Sequence, residues 1–442
     1  MNTILLLDEF NDKSKMLYES LTKAGFDGVT LVIDDKISVL PYGVSTIYEY
    51  FADMLNGGKE KGKPLHFDQI TIPDYWDVDA NYAVGRMLDN GIERGKIFFS
   101  DGSNKRFVSC VSWNDSKGRT RCLEHYNGQG RLVAKSILDA NERVFCKTYF
   151  DYDEKELVYI NYSTGEYILN IFSKTFIFAT IQELLVSILI YMNAMDDRIL
   201  INSFGETYSL CESLPGDRND VIFYQGGMNE ELINSLDQII NSESNIKKVY
   251  IQDKGVYNTL IEKGYSSEII EPLGFIYDIS KENKLNNNLL ICTGTDNIES
   301  LEELVTGLPN AIFHIAASTT MSQKLLDFDK YENVKLYPAC SENILNKLFK
   351  QCGIYLDINH EMEVYGAIKK AFLDNQLIVS FKDTVHNSYY IDPINIFENH
   401  QKMIDFIKEL IDNGKDINGY LDSQRNHIMI ENIGRYSDIL KN

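Results

Sequence analysis

Residues 113–165 read WNDSKG-RTRCLEHYNGQG-RLVAKSILDANE-RVFCKTYFDYDE-KELVYINYSTG, and after the first six letters the chain repeats every twelve residues. Arg119, Arg131, Arg143 and Lys155 open successive blocks, and Tyr126, Leu138, Phe150 and Tyr162 close the apolar runs. Trp113, His125, Ile137 and Tyr149 keep the same step one position earlier. Between the runs sit turn-formers: Asn114–Gly118, Asn127–Gly130, Asp139–Asn141, Asp151–Asp153 and Ser163–Gly165. Short β-branched and aromatic runs at this spacing predict antiparallel hairpins, each strand stacking on its neighbour to extend one sheet. The flanking sequence has an α/β rhythm, so the repeat marks an all-β module inserted into it.

Composition bounds the rest. The chain has 442 residues, enough for two or three domains, with 44% hydrophobic and 24% charged residues as in ordinary soluble proteins. Sixty-five acidic against 43 basic side chains give a formal net charge of −22. Such a surface repels phosphate backbones and gains nothing at anionic lipid, which argues against nucleic acid as a partner. The start, MNTILLLDE, has no basic leader, and its apolar run stops at two acids. Phe176 to Met192, interrupted by Gln182 and Glu183, is too short in its clean runs to span a bilayer. A soluble, intracellular protein is expected. Cysteines 110, 122, 146, 211, 292, 340 and 352 form no C-x-x-C pair, so reduced core thiols are expected rather than disulfides or a metal site.

Residues 2–7 predict a buried strand, 12–24 a helix facing inward through Met16, Leu17, Leu21 and Ala24, and 30–33 a second strand. After Pro41 the pattern loosens, and Gly57 to Pro64 reads as a boundary. The β insert runs to about residue 170. Strands 172–178, 198–202, 220–225 and 247–252 then alternate with helices 180–193, 206–213, 229–241 and 255–263, as in a parallel sheet covered on both faces. Pro272-Leu273-Gly274 and the polar run 281–288 mark a hinge. Beyond it, strands at 289–292, 311–317, 334–339, 353–358 and 377–381 alternate with helices at 298–306, 320–327, 342–351 and 362–373, and 401–440 is mostly helical.

The expected organisation is a first Rossmann-like domain (1–60 and 170–272), an extended β-sheet insert (61–169) and a second Rossmann-like domain (273–415). A helical tail (416–442) packs back on the first domain. Paired Rossmann-like domains place a cleft at the carboxyl ends of both sheets.

Two tandem Rossmann-like domains with a helical tail resemble the GT-B architecture of nucleotide-sugar glycosyltransferases. The insert carries a closer resemblance. Pro64, Ile72-Pro73-Asp74-Tyr75-Trp76-Asp77, Arg106-Phe107-Val108, Trp113, Glu124-His125-Tyr126-Asn127 and Thr148-Tyr149-Phe150-Asp151 are similar to the extended β-sheet domain of one protein family. Ile47-Tyr48-Glu49-Tyr50-Phe51 fits it as well. This family comprises the two subunits of the O-GlcNAc transferase that modifies serine-rich-repeat adhesins in the accessory Sec system of Gram-positive bacteria.

What the resemblance implies depends on the subunit. A retaining donor site needs cations on the diphosphate, because the departing UDP carries the developing charge. The catalytic subunit places an Arg and, five positions later, a Lys just after the first strand of the second domain; here Thr295 and Ser300 stand there. It also holds the donor with two Glu eight apart; aligned on Ala371, those positions are Met362 and Lys370. The chain thus resembles the non-catalytic, glycosyltransferase-stabilising subunit, with no catalytic residue, cofactor or metal.

That resemblance implies a chaperone-like heteromeric partner of a catalytic UDP-GlcNAc-dependent subunit, binding the Ser/Thr-rich adhesin during protein O-glycosylation. It implies a cytoplasmic location, with peripheral attachment to the inner face of the membrane through the complex. His360, Glu361, Glu363, His386, Asn387 and Tyr389 are the candidate acceptor-binding residues. Arg119, Arg131, Arg143, Lys155, Tyr126 and Phe150 are the candidates for the partner interface. Two other readings compete: an active GT-B glycosyltransferase, which tight UDP-GlcNAc binding by the isolated chain would reveal, and an unrelated carbohydrate-binding scaffold.

Simpler readings stand beside these. Asp151-Tyr152-Asp153 and Asp77-Val78-Asp79 imitate the D-x-D metal motif, but acids in repeat turns cap backbone amides. Gly226-Gly227 reads as a plain turn. The repeated Arg and Lys read as a ladder of charge beside acidic turns.

Overall fold

The computed structural model describes residues 2–34, 40–56, 62–81, 84–100, 106–279, 282–283 and 285–441. Most of the Gly57–Pro64 boundary, and Lys281 and Lys284 of the polar run, lie outside the described residues. The chain divides into two compact units: Met1–Tyr18, Phe26–Ile251 and Leu260–Glu271 form the first, and Glu19–Gly25, Gln252–Thr259 and Pro272–Asn442 the second.

The first unit begins with β1 (Thr3–Leu7), β2 (Thr30–Val32) and β3 (Val44–Thr46). It ends with β14 (Arg198–Ile201), β15 (Asp220–Tyr224), β16 (Ile246–Ile251) and β17 (Ile270–Pro272). They form one sheet in the order β17-β16-β15-β14-β1-β2-β3. Ile4 to Leu7 are at most 2% exposed, the continuous apolar run of a parallel strand covered on both faces. Chain order reverses between β1 and β14, and such reversals open a crevice beyond the carboxyl ends of the strands. Where the sequence pattern loosens after Pro41, the structure holds β3 and a helix, Ile47–Asn56, that buries Tyr48 and Phe51.

The insert is a single ten-stranded sheet. Its strands are β4 (Asp77–Ala80), β5 (Val84–Asp89), β6 (Ile92–Phe99), β7 (Val108–Asn114), β8 (Thr120–Tyr126), β9 (Leu132–Leu138), β10 (Val144–Phe150), β11 (Glu156–Asn161), β12 (Glu166–Ile171) and β13 (Lys174–Phe178), hydrogen-bonded in chain order. The twelve-residue repeat is one strand plus one turn. In each of four turns the first residue's amide donates to the carbonyl four residues on, from Asp115, Asn127, Asp139 and Asp151. The side-chain oxygen of each accepts the amides two and four residues later. The fourth residue has positive φ: Gly118 and Gly130, but also Glu142 and Glu154. Asx side chains that close the turn locally make this left-handed step tolerable without glycine.

The strand expected at 172–178 to reopen the parallel series instead pairs antiparallel with β12, so the insert continues to Phe178. The signal was hidden because its two-residue hairpin uses Phe172 (φ 53°) and Ser173 (φ 60°) where Asn-Gly is the usual choice. The Arg/Lys repeat forms no single ladder either. Successive turns alternate between opposite ends of the sheet, so turns 115–119 and 139–143 share one end and 127–131 and 151–155 the other.

The second unit carries β18 (Asn288–Thr293), β19 (Ile312–Ala317), β20 (Val334–Tyr337), β21 (Ile354–Asp357), β22 (Leu377–Phe381) and β23 (Ile396–Phe397). Their order is β20-β19-β18-β21-β22-β23, all parallel. Chain order again reverses at the first strand, between β18 and β21. The helix expected at 362–373 is shorter, Ala367–Leu373, because Tyr365 and Gly366 both adopt positive φ ahead of it. The helix expected at 320–327 is a four-residue turn, Gln323–Leu326, continued as a 3-10 helix. Three helices close the chain: His400–Ile411, Asn418–His427 and Ile433–Lys441. The last buries Tyr436, whose hydroxyl donates to the Gly274 carbonyl at 2.7 Å.

Candidate functional site

In the second unit the ends of β18 and β21 bring Thr293–Glu299 beside Ile358–His360. The Glu299 amide donates to the Ile358 carbonyl (2.8 Å) and the His360 amide to the Asn297 carbonyl (3.1 Å). The Thr293 hydroxyl donates to the Thr295 carbonyl (2.8 Å) and accepts the Thr295 amide (3.0 Å), folding the loop on itself. Ser300, at φ 48°, starts the short helix Leu301–Gly307, whose first turn carries Glu302 and Glu303. Thr295 and Ser300 therefore stand at the crest of the sheet with acids around them. Asn359, 2% exposed, donates to the Cys292 carbonyl (3.2 Å), while its Oδ1 is buried without a hydrogen-bond partner.

Four basic side chains around this crest, His360, His386, Lys324 and Lys370, each contact another group of the chain. His360 Nε2 lies 2.6 Å from Glu299 Oε2, and this contact draws the Glu299 carboxyl below the usual range. His386 Nδ1 lies 2.6 Å from Oδ1 of Asp357, a residue only 1% exposed at the end of β21, while Asp357 Oδ2 accepts the His386 amide (3.0 Å). The ring's other nitrogen meets the Glu361 carbonyl. The Asp357 bond outweighs burial and raises His386 to about 9, so this imidazole is cationic at neutral pH. Lys324 Nζ donates to the Asp296 carbonyl (3.2 Å), and Lys370 Nζ sits 6.0 Å from the Phe349 ring centroid. Met362, aligned with one donor-binding Glu, is 83% exposed. A diphosphate at this crest would meet carboxylates, and the His386 imidazolium is already paired with the Asp357 carboxylate.

Of the six candidate acceptor residues, the structure gathers His360, Glu361, Glu363 and His386 at the ends of β21 and β22. Glu363 is spent on the fold: its carboxylate accepts the Ile368 amide (2.9 Å). Asn387 accepts the Tyr389 amide (3.2 Å), and the Tyr389 hydroxyl pairs with that of Tyr277 (3.2 Å). Glu299 and Asp357 were missed as partners of the two histidines. Asp357 reads as one more position in a buried strand, so only tertiary structure reveals its role.

The six candidate interface residues divide. Arg131 is committed to its own chain: its guanidinium donates to the Phe150 carbonyl (2.9 Å), lies 4.4 Å from the Tyr152 ring centroid and reaches Glu49 at 3.6 Å. Burial raises the Glu49 carboxyl above its ordinary value, and Arg131 opposes that rise. Arg119 pairs with Asp115 (2.7 Å), a bond that holds the Asp115 carboxyl down at about 2. Arg143 and Lys155 are exposed, and Tyr126 and Phe150 half-buried. Asp151 accepts the amides of Asp153 and Lys155, and Asp79 pairs with Arg86, so neither D-x-D stretch is built as a cation site. Among the described residues no group of three or more His, Cys, Asp or Glu is arranged to hold a metal, and all seven cysteines are free thiols. The Gly227 carbonyl accepts the Tyr224 hydroxyl (2.7 Å), a local turn. No helix among the described residues is long and apolar enough to cross a membrane.

Comparison with known proteins adds four family matches. Residues 4–51 match the GtfB N-terminal domain, 76–179 the GtfB middle domain, 182–262 the GtfB third domain and 289–424 the GftB/GlyA-F C-terminal domain. The chain is 35% identical over 443 residues to the "UDP-N-acetylglucosamine--peptide N-acetylglucosaminyltransferase stabilizing protein GtfB" of Streptococcus agalactiae, covering 99% of this chain and 98% of that one. It superposes with a TM-score of 0.88, at 31% identity and 99% coverage of both chains, on a chain in the crystal structure of a GtfA/B complex bound to UDP and GlcNAc. With TarM it shares the GT-B-like fold alone, at a TM-score of 0.55 and 13% identity, over 100% of this chain and 98% of TarM.

Proposed function

The chain belongs to the GtfB family of glycosyltransferase-stabilising proteins, and from that membership we propose that it is the non-catalytic partner of a GtfA-type O-GlcNAc transferase. The observation that carries the proposal is the crest of the second sheet. A family member that retained donor chemistry would keep cations over the diphosphate, and here that crest presents Thr295, Ser300 and paired acids. The partner is the catalytic subunit, and the acceptor is a Ser/Thr-rich adhesin polypeptide. A low-complexity acceptor gains avidity from weak, repeated contacts. His360, Glu361 and His386, with Asn387 and Tyr389 farther along, are the acceptor-facing candidates. The inserted sheet, with Arg143 and Lys155 outward, faces the partner. Any attachment to the cytoplasmic face of the membrane comes through the complex.

Co-expression with a GtfA-type subunit tests this reading. The chain raises the soluble yield of the catalytic subunit and its GlcNAc transfer to a serine-rich peptide, and alone transfers nothing. GlcNAc transfer by the isolated chain, or an unchanged yield and rate for the catalytic subunit, would refute it.

A further inference from the structure

Helix Ile47–Asn56 packs on β2 and β3 of the first sheet and also on β10 and β11 of the insert. Its buried residues Ile47, Tyr48, Phe51 and Ala52 anchor it. Tyr48 stacks on Tyr149 of β10 with ring centroids 4.3 Å apart, and Phe51 meets Tyr191 edge-on at 6.0 Å. Apolar burial holds the helix in place, but it is non-directional and leaves the angle of the insert to polar contacts.

Glu49 and Asp53, four residues apart on one face of the helix, supply those contacts. Glu49 Oε1 lies 3.6 Å from the Arg131 guanidinium and accepts the Asn127 side-chain amide at 3.4 Å. Asp53 Oδ1 accepts the Tyr152 hydroxyl at 2.7 Å. The Arg131 guanidinium also donates to the Phe150 carbonyl and lies over the Tyr152 ring, which ties the two turns at this end of the insert together. The Arg131 and Glu49 side chains keep only 12% and 19% of their surface exposed, so salt screens this pair less than one at the surface.

The repeat shows why Arg131 is available. Asp115, Asp139 and Asp151 hold the first position of their turns, and Asn127 holds it in the remaining one. Arg119 is taken by the Asp115 carboxylate of its own turn (2.7 Å). The Asn127 oxygen accepts the Gln129 and Arg131 amides as an aspartate would. It carries no charge to hold Arg131, however, and it offers Glu49 a donor in place of a repelling carboxylate. We infer that Asn127, Arg131 and Glu49 are positioning residues. They lock the inserted sheet at one angle to the first sheet, and that angle presents the insert to the catalytic subunit. The inference rests on the proposed pairing with that subunit through the insert.

Two near-isosteric substitutions in the full chain isolate the lock. Asn127→Asp keeps the turn's backbone hydrogen bonds, as the three Asp turns do, but draws Arg131 back and repels Glu49. Glu49→Gln keeps an acceptor for Asn127 and removes the charge. Spin labels on unnatural amino acids at Asn141, at the far end of the insert, and Asn234, on helix Glu230–Asn241, read the distance between insert and first sheet by electron resonance; both positions are exposed. Each variant broadens that distance distribution and binds a GtfA-type subunit about tenfold more weakly, while melting stays within about 2 °C of wild type. The double variant loses no more affinity than the weaker-binding single one, because both break one interaction. Wild-type distances in both variants, or losses of affinity that add in the double variant, overturn the inference. Broadened distances in the variants of a chain whose wild type does not bind the catalytic subunit would refute the proposed function and leave the lock standing.

Discussion

Gly274 has no room for a methyl group. A Cβ built on it would lie 1.2 Å from the Met429 carbonyl oxygen, and its own carbonyl accepts the Tyr436 hydroxyl. Gly274→Ala is expected to cost roughly 3–5 kcal/mol, in the range reserved for backbone collisions and lost buried networks. It should appear as a lowered urea midpoint or loss of soluble protein; a wild-type midpoint would contradict the packing described. His386 gives a prediction with a sign. Its pKa is raised from 6.5 to about 9 by Asp357, so the stability it contributes is complete below pH 6.5 and is lost as pH rises through about 9. Melting temperature should fall across that window in the wild type more than in His386→Asn. An NMR titration placing the imidazole near its ordinary value would end the argument. Both residues stood out in the sequence, one inside a Pro-Leu-Gly break and the other in a polar loop, but neither partner did. Met429 and Asp357 come from elements distant in the chain.

At the scale of elements, the twelve-residue repeat was legible because each turn closes on its own Asx side chain, a local interaction that spacing alone displays. The β12–β13 hairpin was not. Its Phe172-Ser173 turn pays for left-handed backbone without glycine or asparagine, and Phe172 is 62% exposed at the tip. Replacing the pair by Asn-Gly is expected to stabilise the chain by about 1 kcal/mol in urea unfolding, since both residues leave a disfavoured conformation. A loss of stability would mean that Phe172 contributes packing that outweighs its strain. The alternation of turns between the two ends of the sheet likewise follows from strand reversal. It separates Arg119 and Arg143 from Arg131 and Lys155, although all four look equivalent in sequence. Turns 127–131 and 151–155 both reach helix Ile47–Asn56, through Arg131 to Glu49 and Tyr152 to Asp53, while Lys155 pairs with Asp153 of its own turn.

For the whole molecule, a net charge of −22 sets a different expectation. The isolated chain should not sediment with vesicles rich in anionic lipid at low salt, whereas the complex with its catalytic partner should if the partner brings basic surface. Retention of the isolated chain on such vesicles would require a concentrated basic face that the charge balance does not suggest. The sequence by itself determined what depends on local periodicity and composition. It held two parallel βα series, an inserted run of hairpins, an acidic surface and the absence of Arg, Lys and Glu where a sugar nucleotide would need them. Tertiary structure alone decided which carboxylate each histidine meets, where the insert ends, and which of its turns reach helix Ile47–Asn56. Those facts depend on contacts between residues far apart in the chain, and a one-dimensional pattern carries no record of such distances.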